Sequence, residues 1–329
     1  MRYRNLGRSD MEVSSVCMGC WAIAGGKMWG PQEESDAIEA IRTSLDAGVN
    51  FFDTAEGYGG GESERLLGKG LGERRKEAIV ATKVSPRNLE PEKLRAACES
   101  SLKDLKTDVI DLYQIHWPNW DIPIDDSMGA MQKLKDEGKI RAIGVSNFGK
   151  RDLSDALSCG RVESDQLCYS LVWRAVEYEV QPLCVENDVG ILCYSPLAQG
   201  LLTGKYESFD DMPPPRTRSR LFSGERETSR HGGPGCEPEL AEAMHGIRKA
   251  CDGLAMSMGN VALAWLLAQP AITSVIAGAR NADQARANAG AAEVKLPLDV
   301  VSELDRITQA VKEKMGANCD PWQSESRIR

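Results

Sequence analysis

Residues 79–116 read IVATKVSPRNLEPEKLRAACESSLKDLKTDVIDLYQIH, and this one stretch holds the repeating unit of the fold. Ile79 to Val84 is a short apolar run of the kind that forms a strand covered on both faces. Pro91 stands where the first turn of a helix accepts proline. Leu94, Cys98, Leu102 and Leu105 then recur at three- and four-residue spacing and predict a helix over Pro91–Lys106. Val109 to His116 reads as a second strand. A strand, a helix and a strand in succession make a parallel pair joined by a crossover.

The unit repeats in both directions. Further strands are predicted at Val13–Gly19, Asn50–Asp53, Ile140–Ser146, Asp165–Tyr169, Ile191–Tyr194 and Ser274–Ile276. Helical spacing appears in Ala37-Ile38-Ile41-Leu45, Met128-Met131-Leu134 and Val300-Leu304-Ile307-Val311. Eight such units predict an α/β fold closed as a (β/α)8 TIM barrel rather than an open sheet. No G-x-G-x-x-G follows the first strand, which argues against a Rossmann domain. Arg2–Leu6 and Met11–Val13 flank Gly7-Arg8-Ser9-Asp10 and predict a small N-terminal β-hairpin plugging the bottom of the barrel. The whole chain, residues 1–329, is expected to be a single domain.

One connection breaks the rhythm. Tyr206 to Gly235 is polar and rich in Pro, Arg and Gly, and follows the seventh strand on the face where barrel active sites form. It is expected to bury little and to act as a lid or cofactor clamp, mobile until its five arginines close over an anionic ligand.

Composition narrows the remaining possibilities. A net charge of −9 lacks the basic balance of a nucleic-acid binder. No apolar run approaches the ~20 residues of a membrane span, and Met1-Arg2-Tyr3-Arg4-Asn5 lacks the apolar core of a signal peptide. The 10 cysteines are scattered; only Cys17-Met18-Gly19-Cys20 has C-x-x-C spacing, read as two small buried residues on a strand. Unpaired cysteines in this number suit a reducing compartment, so a cytoplasmic location is expected.

Function is read at the C-terminal ends of the strands. Asp53 ends the second strand, with Tyr58 in the loop after it; Lys83 lies at the end of the third; His116 ends the fourth. A carboxylate, a phenol, an ammonium and an imidazole thus converge from three neighbouring strands. Asp53 would keep Lys83 charged, and the ammonium would lower the phenol's pKa, making Tyr58 a tuned general acid. His116 would orient the same oxygen. No metal-ligand set is apparent. The group suits protonation of a carbonyl oxygen while a hydride reaches its carbon, the hydride coming from a nicotinamide cofactor.

Several linked motifs carry a family resemblance. Asp53-Thr54-Ala55-x-x-Tyr58-Gly59, Gly61-Glu62-Ser63-Glu64-x-x-Leu67-Gly68, Lys83, His116 in its Leu-Tyr-Gln-Ile-His context and Gly144-Val145-Ser146-Asn147-Phe148 resemble the aldo-keto reductases, in order and over essentially the whole chain. The resemblance implies the same barrel and a catalytic tetrad of Asp53, Tyr58, Lys83 and His116. It implies a carboxamide held by Ser146, Asn147 and Gln166, and a nicotinamide stacked on Tyr194. It implies a pyrophosphate loop at Ser195-Pro196-Leu197-Ala198-Gln199-Gly200, closed by Lys205. It places the adenosine end at Gly278, Arg280, Gln284 and Asn288. Ala277 stands where many members carry Pro, and Gly278-Ala279 where some branches carry Lys-Ser. Arg280 suits a 2′-phosphate, so NADP(H) is expected, with NAD(H) the lesser alternative.

Trp21, Trp29 and Trp117 sit in rim loops and are expected to wall a substrate pocket for a small carbonyl or alcohol, sugars and polyols included. Neither nucleic acid nor a membrane is expected as a partner, and neither the physiological substrate nor the oligomeric state is written in the sequence. A second reading comes from the same resemblance: channel-associated β subunits, binding and regulatory partners built on this barrel.

Overall fold

Eight parallel strands close on themselves in a computed structural model that describes residues 1–329. A hairpin comes first, β1 (Tyr3–Asn5) and β2 (Glu12–Ser14). The barrel strands are β3 (Val16–Gly19), β4 (Phe51–Asp53), β5 (Ile79–Val84), β6 (Ile110–Ile115), β7 (Ile140–Ser146), β8 (Ser164–Cys168), β9 (Gly190–Tyr194) and β10 (Ile272–Gly278). Each pairs with the next, and β10 pairs with β3 through Val275↔Val16 and Gly278↔Gly19 to shut the ring.

The covering helices are α1 (Glu34–Asp46), α2 (Glu62–Leu71), α3 (Pro91–Leu105), α4 (Ile124–Asp136), α5 (Lys150–Cys159), α6 (Val180–Glu186), α7 (Glu237–Leu254), α8 (Met258–Leu267), α9 (Ala282–Gly290), α10 (Leu298–Ile307) and α11 (Gln309–Met315). The crossover predicted from residues 79–116 is β5–α3–β6, with Pro91 in the first helical turn and Lys106 capping the end in the left-handed region.

Alternation along each strand sorts its side chains into two cores. Cys17, Phe51, Ala81, Leu112, Ala142, Leu192 and Ile276 point into the barrel. Their neighbours Met18, Phe52, Val80, Tyr113 and Ile143 pack outward with the helices. Both faces are dry, which is why the strands read as continuous apolar runs. Leu6, Met11 and Val13 of the hairpin join the inner cluster and plug the bottom, as expected. Arg4 anchors the plug by donating to the carbonyls of Ile272 and Leu267.

The structure departs from the sequence reading at three places. The run Val13–Gly19 is two strands: β2 ends at Ser14 and β3 begins at Val16, because Ser15 between them passes the chain from one sheet to the other, its N–H bonded to the Arg2 carbonyl of the hairpin and its carbonyl accepting from Val275 of the barrel. The helical pattern Val300–Val311 breaks at Thr308, where the hydroxyl bonds back to the Leu304 carbonyl and accepts from Arg174.

Segment 206–235 also buries more than its composition implies. Met212, Leu221 and Phe222 join the main core. Arg220 donates to the carbonyls of Asn318 and Asp320, and Arg226 is paired with Glu237. An irregular segment can enter a core when its backbone and arginines find partners, and average polarity conceals the Leu221-Phe222 pair.

Candidate active site

Asp53 ends β4 at the top of the barrel, buried. Lys83, one strand over in β5, has no solvent exposure. Its ammonium donates to Asp53 Oδ1 at 2.6 Å, to the Thr54 carbonyl at 2.7 Å and to the Tyr58 hydroxyl at 3.5 Å. The other carboxylate oxygen of Asp53 accepts from Gln166 Nε2 at 2.7 Å and Gln114 Nε2 at 3.3 Å. A buried ion pair with its remaining lone pairs and protons satisfied in this way is held in one geometry.

Tyr58 begins a tight turn into α2. Gly59, Gly60 and Gly61 all have φ between 61° and 90°. A Cβ at Gly59 would lie 2.8 Å from the Ala24 side chain, so the turn needs glycine there for space as well as for conformation. His116 follows β6, its backbone N–H bonded to the Val84 carbonyl. Its ring meets Tyr58 edge-on at 5.7 Å, and Trp21 stacks on Tyr58 at 5.6 Å.

Protonation follows from burial and charge. Burial pulls the His116 imidazole down to about 3, with Lys83 adding to the effect, so the ring is neutral. Burial also opposes charge on Lys83, but Asp53 and then Tyr58 outweigh it and hold the ammonium above its ordinary range. The Tyr58 phenol lies above its ordinary value: burial raises it by more than Lys83 lowers it. This corrects the sequence expectation of a net lowering. The ammonium acts in the expected direction, but desolvation of a buried phenol is the larger effect, and Tyr58 stands as a neutral O–H donor.

These groups open onto a cleft of about 900 Å³. Asp53, Tyr58 and His116 line it, with Lys83 beneath. Trp21, Trp29 and Trp117 line it too. Ser146, Asn147, Gln166, Tyr194, Ser195, Pro196, Leu197, Gln199, Gly200, Lys205, Gly278, Arg280, Gln284 and Asn288 line the rest. The sequence-predicted residues therefore meet in one cavity.

Several of them already have partners. Asn147 donates to the His116 carbonyl and accepts from the Tyr194 hydroxyl at 2.8 Å, tying three strand ends together. The amide nitrogen of Gln166 is taken by Asp53. The guanidinium of Arg280 donates to Gln32 Oε1 and to the carbonyls of Trp29 and Pro31. Arg280 therefore fastens the loop after β3 to the start of α9.

The long arm of the cleft fits a phosphate-rich ligand. Ser195, Ala198 and Gln199 all have positive φ, and Gly200 reaches 98°, so the loop presents backbone rather than side chains. A Cβ at Gly200 would lie 3.6 Å from Arg216 Nη1 and 3.8 Å from Lys205 Cε, which puts two cations over the loop. The N-terminal turn of α8, capped by Ser257 and carrying Gly259 and Asn260, lines the same arm. Arg216 Nε and Trp29 Nε1 are buried donors with no partner.

Sequence reasoning missed Gln114, which donates to Asp53 from beneath the cleft, and the α8 turn and the tail residues Trp322, Gln323 and Arg327, which line it. Ser257 ahead of an apolar helical run was a capping signal that marks the α8 turn. The tail has no periodicity to read.

Comparison with known proteins gives one consistent answer. The sequence model of the aldo/keto reductase family matches residues 15–309. The chain is 35% identical over 302 residues to an aldo-keto reductase, YhdN, of Bacillus subtilis (strain 168), covering 87% of each. It is 32% identical over 314 residues to an NADH-specific methylglyoxal reductase of Escherichia coli (strain K12), covering 88% of this chain and 93% of that one. It is 29% identical over 331 residues to a probable voltage-gated potassium channel subunit beta of Arabidopsis thaliana, covering 95% and 98%.

Among solved structures, a glycerol dehydrogenase from Gluconobacter oxydans superposes with a TM-score of 0.82 at 30% identity, covering 94% of this chain and 95% of that one. An aldo-keto reductase from Klebsiella pneumoniae in complex with NADPH gives 0.72 at 26% identity, covering 90% and 92%.

Proposed function

This chain belongs to the aldo/keto reductase family of NAD(P)H-dependent oxidoreductases, and on that premise we propose that it reversibly reduces an aldehyde or ketone to an alcohol with NADP(H), NAD(H) serving less well, and with Tyr58 as the general acid. The observation that carries the reading is the buried Lys83, bonded at once to Asp53 and to the Tyr58 hydroxyl at the floor of the cleft.

In this reading Ser146, Asn147 and Gln166 hold the carboxamide, with Tyr194 against the nicotinamide. Residues 195–200 and Lys205 hold the pyrophosphate, with Arg216 above them. Gly278, Arg280, Gln284 and Asn288 take the adenosine end. When bound, the cofactor supplies the hydride for the carbonyl carbon.

The chain's own residues manage the oxygen. Tyr58 donates its O–H to the carbonyl oxygen and releases the proton as negative charge develops there. Lys83, kept charged by Asp53, stabilises the phenolate left behind, an effect enlarged by the dry surroundings. His116, neutral, offers an N–H to the same oxygen and fixes its position. Trp21, Trp29 and Trp117 hold the carbonyl carbon in place and keep water from it. Residues 1–329 act as one domain, and the inner side of segment 206–235 roofs the cleft.

Loss of nicotinamide absorbance on adding NADPH and a panel of short and aromatic aldehydes tests the reading; no turnover of any of them with either NADPH or NADH overturns it. The likeness to a probable voltage-gated potassium channel subunit beta favours a second reading, a regulatory or binding subunit on the same fold. Retrieval of a membrane partner by a catalytically silent protein is its signature.

A further inference from the structure

We propose that the carbonyl substrate carries a second, anionic group, a carboxylate or a phosphate, and that Arg218 binds it at the mouth of the cleft. The inference rests on the reductase reading and names the substrate class for it.

The charge lining the cleft is lopsided. Lys205, Arg216, Arg218, Arg230, Arg280 and Arg327 face it, and Asp53 is its only acid, already paired with Lys83. This stands out in a chain whose net charge is −9. Most of the cations are accounted for. Lys205 and Arg216 overhang the loop at Gly200, and Arg280 stands at the adenosine end; a dinucleotide phosphate chain uses such positions. Arg327 is held in a fork by the buried Asp320, at 2.7 and 3.0 Å.

Arg218 has no such partner. It makes no ion pair and no hydrogen bond, and its Nε is buried and unsatisfied. Its guanidinium lies 4.5 Å from the Trp322 ring and 5.7 Å from the Trp21 ring. Trp21 is the ring on which Tyr58 stacks, so one indole separates the cation from the proposed proton donor. That contact puts Arg218 beside the reacting end of the cleft, while Arg216, over the Gly200 loop, lies instead against Trp29, the next ring along.

Arg218 is half-buried with its Nε dry; a guanidinium stays charged at any physiological pH, and drying even part of one without a counter-ion is costly. Contact with two indoles offsets part of that cost but leaves the planar N–H edge unused. A carboxylate or phosphate oxygen pair matches that edge. Burial first and the nearby Arg230 second hold Arg218 below the usual guanidinium range, the direction expected where an anion is missing. Arg230 is exposed and also unpaired, a second contact for a doubly charged group.

The test compares matched pairs with NADPH: 4-carboxybenzaldehyde against 4-methylbenzaldehyde, and glyceraldehyde 3-phosphate against glyceraldehyde. The expected result is a kcat/KM at least about tenfold higher for the anion in one pair or both, a preference that shrinks with added salt. The pair that shows it identifies the anion. Arg218→Met should bring the ratio close to one, with Arg218→Lys keeping part of it. Ratios at or below one in both pairs for the wild-type protein, a measurement that needs no variant, overturn the inference while the neutral aldehydes still prove a reductase. A ratio unchanged in a folded Arg218→Met protein overturns it too. Failure of every carbonyl with both nucleotides fails the reductase reading and the inference together.

Discussion

The Lys83 ammonium and the Tyr58 hydroxyl stand 3.5 Å apart at the floor of the cleft, with Lys83 wholly shielded from solvent. The distance is long for a hydrogen bond, yet short enough for the charge to act strongly where no water screens it. Lys83 works against the burial that raises the phenol. Replacing it by Met should therefore push the Tyr58 pKa still higher. In the alcohol-oxidising direction Tyr58 must accept a proton, so the rising limb of the pH–rate profile should move to higher pH. Turnover should fall by about two orders of magnitude or more. A Lys83→Met profile that overlays the wild type would show that the ammonium does not tune the phenol.

His116 is held at about 3, against about 6.5 in an unfolded chain. The unfolded state therefore takes up this proton first. The stability that neutral His116 contributes is fully present above pH ~6.5 and is lost as pH falls toward 3. Thermal unfolding at about pH 7 and pH 4.5 should show a smaller acid-induced drop in Tm for His116→Gln than for the wild type. Carbonyl reduction between about pH 5 and 8 should show no inflection from this imidazole.

Arg280 and Arg216 should separate the two nucleotides. Arg280→Ala should weaken NADPH by about tenfold or more while NADH changes little, since only NADPH has a 2′-phosphate to pair. Arg216→Ala should weaken both alike, because both carry the pyrophosphate. Fluorescence titration reads the four affinities. Equal losses for NADPH and NADH in Arg280→Ala would leave Arg280 as only the strap between Gln32, the carbonyls of the loop after β3 and α9.

Segment 206–235 should prove structural at its middle. Phe222 is buried against Phe209 at 5.5 Å between rings. Phe222→Ala should cost about 3–5 kcal/mol in denaturant unfolding, whereas a solvated insertion would cost almost nothing. Limited proteolysis then locates any remaining mobility: NADPH should protect the stretch around Arg216, which overhangs the Gly200 loop.

The barrel was legible because its signal is repetitive. Ile79–Val84 and Ile140–Ser146 are strands with the ends read from the sequence, and Pro91 marks the start of α3. Legibility failed where one residue overrides a pattern, as Ser15 and Thr308 do, and where packing is aperiodic, as at Leu221-Phe222. The residue types of the site were visible at strand ends. Their protonation was not, because desolvation of Tyr58 depends on walls contributed by Trp21 and His116 from distant parts of the chain. The cations of the cleft were visible as a run of arginines. That Arg220 is spent on the tail and Arg218 is spent on nothing needed the fold.

The most direct measurement is single-turnover reduction of an aldehyde by Tyr58→Phe with saturating NADPH. The ring, its stacking on Trp21 and the cofactor arm all remain, and only the transferable proton is removed. The account predicts NADPH binding close to wild type and a loss of about two to four orders of magnitude in the rate of hydride transfer. A rate close to wild type in Tyr58→Phe would contradict it.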